Sequence, residues 1–125
     1  MDEACPRAIL ADDEEAVLGI TRLMLERLGY QVITASNGAE AVARFAEFPD
    51  AELVMLDLSM PVLSGERAAR EIRGIRDDVP VVITSGFTRE DFESRFQDVK
   101  PAAFLQKPFS FSSLSEALSK LGKRS

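Results

Sequence analysis

Short apolar runs alternate along this chain with longer stretches whose apolar residues fall at helical spacing, and this alternation constrains the fold more than any other feature. The runs are Ala8 to Ala11, Gln31 to Ala35, Leu53 to Leu56, Val81 to Thr84 and Ala103 to Gln106. Most are continuous, as strands covered on both faces should be. Between them, Val17, Ile20, Met24 and Leu28 mark one helix face; Ala41, Val42 and Phe45 mark a second, and Ala68, Ala69, Ile72 and Ile75 a third. Phe92 and Phe96 suggest a shorter fourth helix, and Leu114, Leu118 and Leu121 a last one. Such βα units predict an α/β layer fold around a parallel sheet. Local punctuation agrees. Asn37 with Glu40 reads as a helix start of capping-box type, Gly29 after Leu28 as a stop, and Pro80 sits where a strand begins.

A chain of 125 residues with 46% apolar content has material for one packed core. No linker, repeat or low-complexity segment divides it, although the Ser-rich, Lys-containing tail from Ser110 onward could fray at its end. The formal charge of −6 argues against direct nucleic-acid binding, because phosphate backbones are held by clustered Lys and Arg. A protein or a cation is the expected partner. Cys5 is the single cysteine, so no internal disulfide can form. No stretch approaches the ~20 apolar residues of a membrane span, and no signal peptide opens the chain, so a soluble, cytoplasmic protein is expected. The absence of His excludes imidazole-based zinc sites, Ser-His-Asp triads and phosphohistidine within this chain.

In open parallel sheets ligands bind beyond the carboxyl ends of the strands. Here the first strand runs into Asp12-Asp13-Glu14, the third into Asp57, the fourth into Thr84-Ser85-Gly86 and the fifth into Lys107-Pro108. Taken singly, each has an ordinary explanation: Asp12 or Asp13 could cap a helix, Asp57 could be a turn residue, and Ser85 and Lys107 solvated loop residues. Their joint occurrence at strand ends favours a site. Two like charges ~4 Å apart repel by about 4 kcal/mol at an effective dielectric constant near 20, so a cluster of Asp12, Asp13 and Asp57 calls for a cation. Oxygen donors without His or Cys point to a hard ion, and Mg²⁺ characteristically binds one or two carboxylates and keeps water for a phosphate oxygen to replace. Phosphoryl transfer follows, with Asp57 as nucleophile and Lys107 and the metal neutralising charge.

At these residues the chain resembles the receiver domains of bacterial response regulators and hybrid histidine kinases. The resemblance rests on Ile9-Leu10-Ala11-Asp12-Asp13-Glu14, on Asp57-Leu58-Ser59-Met60-Pro61 followed by Gly65, on Pro80 to Gly86, and on Lys107-Pro108-Phe109. It implies a flavodoxin-like (βα)₅ three-layer sandwich with strand order 2-1-3-4-5, occupying residues 5–123. It also implies that Asp57 is the phosphoacceptor, that Asp13 ligates Mg²⁺ directly, and that Asp12 acts through metal-bound water. The carbonyl of Ser59 would complete the protein ligands and Lys107 would touch the phosphoryl group. Ser85 takes the switch hydroxyl position and Phe104 the switch aromatic, here without the hydroxyl of the commoner Tyr. Thr84 competes for the hydroxyl role, but strand alternation turns it away. The implied partners are a histidine kinase or histidine phosphotransfer domain and an effector domain or protein. The implied role is signalling rather than enzymatic turnover.

Two other classes fit less well. A haloacid-dehalogenase-type enzyme would need a second Asp two residues after Asp57, where Ser59 stands. A flavodoxin-like cofactor module would need a phosphate loop after the first strand, and none is present. The segment Gln97 to Ala103 departs from the family's usual connection, which leaves the fourth helix and its surface open.

Overall fold

The computed structural model describes residues 5–121, so residues 122 and 123 of the expected domain lie outside the described residues. In chain order the elements are β1 (Arg7–Ala11), α1 (Glu15–Arg27), β2 (Gln31–Ala35), α2 (Gly38–Glu47), β3 (Leu53–Asp57), α3 (Gly65–Ile75), β4 (Val81–Ser85), α4 (Arg89–Arg95), β5 (Ala103–Gln106) and α5 (Phe111–Leu121). All pairings are parallel and the sheet order is β2-β1-β3-β4-β5, as expected. Asp57 and Ser85 are themselves the last residues of β3 and β4, one position beyond the apolar runs that mark those strands. The site is therefore attached to sheet backbone rather than to loops.

Alternation along the strands divides the core into two layers. Ile9, Ala11, Val54, Leu56, Val81, Ile83 and Phe104 face α2, α3 and α4, where Phe45, Ala68, Ile72 and Phe92 meet them. Ala8, Leu10, Leu53, Met55, Val82 and Leu105 face α1 and α5 through Leu25, Leu114 and Leu118. Helix ends are fixed as the sequence indicates. Asn37 Oδ1 accepts the Glu40 N–H at 2.8 Å, although the Glu40 carboxylate turns to the N–H and hydroxyl of Ser36 rather than to the cap residue. Gly29 closes α1 at φ 101°, a conformation that glycine adopts without Cβ strain.

Two expected helix faces need correction. On α1 the buried residues are Thr21 and Leu25, with Leu18, Met24 and Leu28 packed beside them, whereas Ile20 is 57% exposed and Leu23 60%. The helix carries more apolar residues than its buried stripe uses, so counting at helical spacing selected a stripe rotated toward solvent. On α3, Ala68, Ala69 and Ile72 are buried as expected, but Ile75 is 46% exposed, because the helix ends there and the chain leaves for β4.

The loop from β3 to α3 is held close at one end and strained in the middle. At Gly65 a Cβ would run into the carbonyl oxygen of Asp57, so only glycine lets α3 start this near the end of β3. Val62 sits at φ 69°, a left-handed conformation that costs a β-branched residue about 1–2 kcal/mol, and it is 80% exposed. Val62→Asn should therefore raise the urea unfolding midpoint by an amount equivalent to about 1 kcal/mol, since Asn tolerates this region and little burial is lost. An unchanged midpoint in equilibrium unfolding would show that the loop holds no such strain.

Candidate functional site

The direction of winding reverses between β1 and β3, and in sheets of this topology the crevice that takes ligands lies outside the carboxyl ends of the strands at that point. Asp12 continues β1, its N–H bonded to the carbonyl of Ala35, and Asp57 closes β3. Asp12, Asp13 and Asp57 each place a carboxylate oxygen within 4.8 Å of the others, with Asp12 and Asp57 buried and Asp13 exposed. Lys107, just beyond β5, crosses the edge of the sheet to reach them. Its Nζ lies 3.0 Å from Asp12 Oδ2, 3.0 Å from Asp57 Oδ1 and 3.6 Å from Glu14 Oε1. The Lys107 N–H donates to the Ser85 carbonyl at 2.7 Å, which ties the lysine to the end of β4.

The site's electrostatics follow from this packing. Burial pushes the Asp57 carboxyl up from its ordinary 3.8 to about 6; the hydrogen bond and charge of Lys107 oppose the rise, and the negative charges of Asp12 and Asp13 add to it. At neutral pH Asp57 is mostly ionised, but the ionised form is held under stress. Burial alone would push the Lys107 ammonium down, yet its bonds to Asp57 and Asp12 outweigh that, and the net shift is upward. Three carboxylates against one ammonium leave an excess of negative charge in the crevice. All available donors are oxygens, and the cluster is compact enough to surround one ion, so the chemistry of the residues fits Mg²⁺.

Asp12 is fully engaged: Oδ1 accepts the Glu14 N–H at 2.9 Å while Oδ2 takes Lys107. Exposed Asp13 sits on the solvent side of the cluster. Ser59 is exposed in the loop toward α3. The buried Ser85 hydroxyl accepts the Phe87 N–H at 3.0 Å. By alternation Ser85 follows Val81 and Ile83 onto the face that carries Phe104, whereas Thr84 follows Val82 onto the opposite face. Phe104 is already buried, its ring 4.9 Å from that of Phe92.

Sequence reasoning missed two features. Glu14 supplies both a backbone donor to Asp12 and a carboxylate near Lys107, a role signalled only by its place in the acidic run. The apolar groove lined by Val17, Ile20, Met24, Pro108 and Phe109, which opens beside Glu14 and Lys107, was hidden because Val17, Ile20 and Met24 read as a core-facing helix stripe and Pro108 and Phe109 only as part of the motif that follows the fifth strand.

Comparison with known proteins places this architecture. The model of the response regulator receiver domain matches residues 8–119. The transcriptional regulatory protein PdtaR of Mycobacterium tuberculosis is 37% identical over 119 residues, covering 94% of this chain and 57% of that protein. The chain thus spans little more than half the length of this relative. Among solved structures, the response regulator TrrA of Thermotoga maritima, in complex with Mg²⁺ and a beryllium fluoride, is 30% identical with a TM-score of 0.83, covering 93% of this chain and 98% of that one. The receiver domain of a Pseudomonas aeruginosa sensor histidine kinase, with a magnesium ion coordinated in its active-site cleft, is 27% identical with a TM-score of 0.82, covering 92% of this chain and 95% of that one. No described helix is long and apolar enough to cross a membrane. By the match along nearly its whole length and by its sheet order, this chain belongs to the response regulator receiver domain family of two-component systems.

Proposed function

We propose that Asp57 is the phosphoacceptor of a cytoplasmic phosphorelay and takes its phosphoryl group from a partner's phosphohistidine. The observation that carries this reading is the placement of Asp57 between Asp12, Asp13 and Lys107 at the edge of the sheet. An Asp57 carboxylate oxygen attacks phosphorus, the P–O bond forms as the P–N bond of the donor breaks, and the imidazole leaves. Lys107 follows the developing negative charge from carboxylate to phosphoryl oxygen. Asp13 would hold Mg²⁺ directly, Asp12 through water, with Asp57 and the Ser59 carbonyl completing the set; the ion supplies charge neutralisation and alignment. The domain then acts as a signalling acceptor rather than a turnover enzyme.

The donor must reach Asp57, so its docking surface must adjoin the crevice. The groove of Val17, Ile20, Pro108 and Phe109, bordered by Glu14 and Lys107, does so, and an apolar helical face of a kinase or phosphotransfer domain fits it. Output is read on the other side. A phosphoryl group on Asp57 draws the Ser85 hydroxyl as donor and alters the packing of Phe104 beneath α4, passing the signal to an effector through α4, β5 and α5. With a net charge of −6, this segment itself does not contact nucleic acid.

The test is intact-mass measurement after incubation with a small phosphodonor, with and without Mg²⁺. One added phosphoryl group is expected with Mg²⁺ and at least ten times less without it, because a tenfold rate change corresponds to only ~1.4 kcal/mol of charge neutralisation. Equal uptake in both would remove the metal-assisted acceptor reading.

A further inference from the structure

Resting on the phosphoacceptor reading of Asp57, we infer that a row of stacked phenylalanines, Phe87, Phe96, Phe92 and Phe104, carries the state of the acceptor site to β5 across α4. The row is continuous. Phe87 and Phe96 have ring centroids 6.4 Å apart, Phe96 and Phe92 5.6 Å, and Phe92 and Phe104 4.9 Å, with interplanar angles of 24–26° throughout. Each pair lies within the ~4.5–7 Å range in which aromatic side chains attract.

Both ends of the row are tied to the switch. At one end the Phe87 N–H donates to Ser85 Oγ, and at the other Phe104 lies on β5, beside β4 and on the same face of the sheet as Ser85. When Ser85 turns its hydroxyl toward a phosphoryl group on Asp57, the Phe87 backbone must follow the oxygen or lose its acceptor. Phe87 then shifts against Phe96. Phe96 stacks on buried Phe92, and Phe92 and Phe104 are both enclosed in the core, where a ring cannot tilt without displacing the ring stacked on it, so a shift that reaches Phe92 passes to Phe104.

Phe96 is the residue through which the two regions communicate. It lines the depression shared by Ser59 and Phe87 beside the acceptor loop, and also the groove shared by Phe92 and Phe104 on the α4–β5 face. It is only half-buried, directly after α4, so its ring contributes less to the core than Phe92 does. The chain therefore has a route from Ser85 to Phe104 additional to direct movement of Phe104 into space vacated by the serine.

The experiment compares NMR spectra of the full chain with and without Mg²⁺ and beryllofluoride, in wild type, Phe96→Leu and Phe96→Tyr. In wild type, shift changes should appear around Asp57 and Ser85 and also at the rings of Phe92 and Phe104. Phe96→Leu should keep the first set at full size and lose more than half of the second; Phe96→Tyr, which retains the ring, should restore it. Full-size changes at Phe92 and Phe104 in Phe96→Leu would overturn the relay while leaving the acceptor reading intact. No change around Asp57 in wild type would overturn both. If Phe96→Leu fails to fold, as judged by its melting curve, Phe87→Leu interrupts the row at its half-buried end beside Ser85 and is subject to the same criterion.

Discussion

Replacing Asp57 with Asn should abolish phosphoryl uptake and, without divalent cations, make the fold more stable at neutral pH. The first effect follows from loss of the nucleophilic oxygen pair, and uptake should fall by at least 100-fold, or about 2.7 kcal/mol of barrier. The second follows from linkage. The carboxyl of Asp57 is pushed up to about 6 in the folded chain from an ordinary 3.8, so the folded state binds its proton more tightly than the unfolded state does. Stability is then lost as pH rises through the interval between those values, and the full penalty persists above it. At ~1.4 kcal/mol per tenfold change the penalty is on the order of 3 kcal/mol. Asn carries no such charge. The hydrogen bond and charge of Lys107 are already contained in that net shift, so they take nothing further from the gain. A net stabilisation of about 3 kcal/mol at neutral pH, shrinking toward zero near pH 4, is expected from urea midpoints of both proteins in chelator. A difference independent of pH would show that Asp57 is not under this stress, and uptake at the wild-type rate would displace it as acceptor.

The asymmetry between what the sequence disclosed and what it concealed has a physical origin. Strands buried on both faces must be apolar along their length, so a carboxylate or hydroxyl closing the run, as Asp57 and Ser85 do, stands out against it. The sheet order then brings those ends together, which makes the acidic cluster and Lys107 legible in the sequence. Surface helices give weaker information. Val17 and Ile20 satisfy the same spacing as core residues yet line an open groove, and Thr21, polar by composition, is buried in their place. Spacing identifies an apolar stripe but not whether another layer or a partner covers it. The aromatic row was equally out of reach: Phe87 and Phe96 flank a helix of seven residues, and Phe104 belongs to a strand. Their stacking exists only once the α4–β5 connection is closed, and that connection is held from α3 by Arg70 on Asp98 and Arg73 on the Lys100 carbonyl. Such long-range contacts leave no periodic trace in the chain.

Lys107→Met should be the most destabilising change at the site in the absence of Mg²⁺, and the one that Mg²⁺ repairs most completely. Its ammonium touches Asp12 and Asp57 at 3.0 Å each, both carboxylates being buried, so its removal leaves two mutually repelling charges with no protein counterion. Truncating one member of a buried ion pair typically costs ~3–5 kcal/mol. Here Asp57 can take up a proton because its carboxyl already titrates near 6, which limits the loss to about 2–3 kcal/mol, or roughly 10 °C in melting temperature for a domain of this size. The lysine's own pKa is raised, so its stabilising contribution in wild type is fully present at neutral pH and disappears only in strong alkali. Mg²⁺ in the acidic cluster and the ammonium would both neutralise Asp12 and Asp57, and their like charges repel. In wild type the ion must therefore bind against Lys107, whereas in the variant that repulsion is gone. A cation binding only the folded state adds ~2.7 kcal/mol at a hundredfold excess over its dissociation constant, and tighter binding in Lys107→Met enlarges this term at a given concentration. Thermal melts across a Mg²⁺ series should thus start far apart and converge as the ion saturates both proteins. Curves that start together, or that stay parallel, would mean that the lysine does not balance the charge of the acidic crevice.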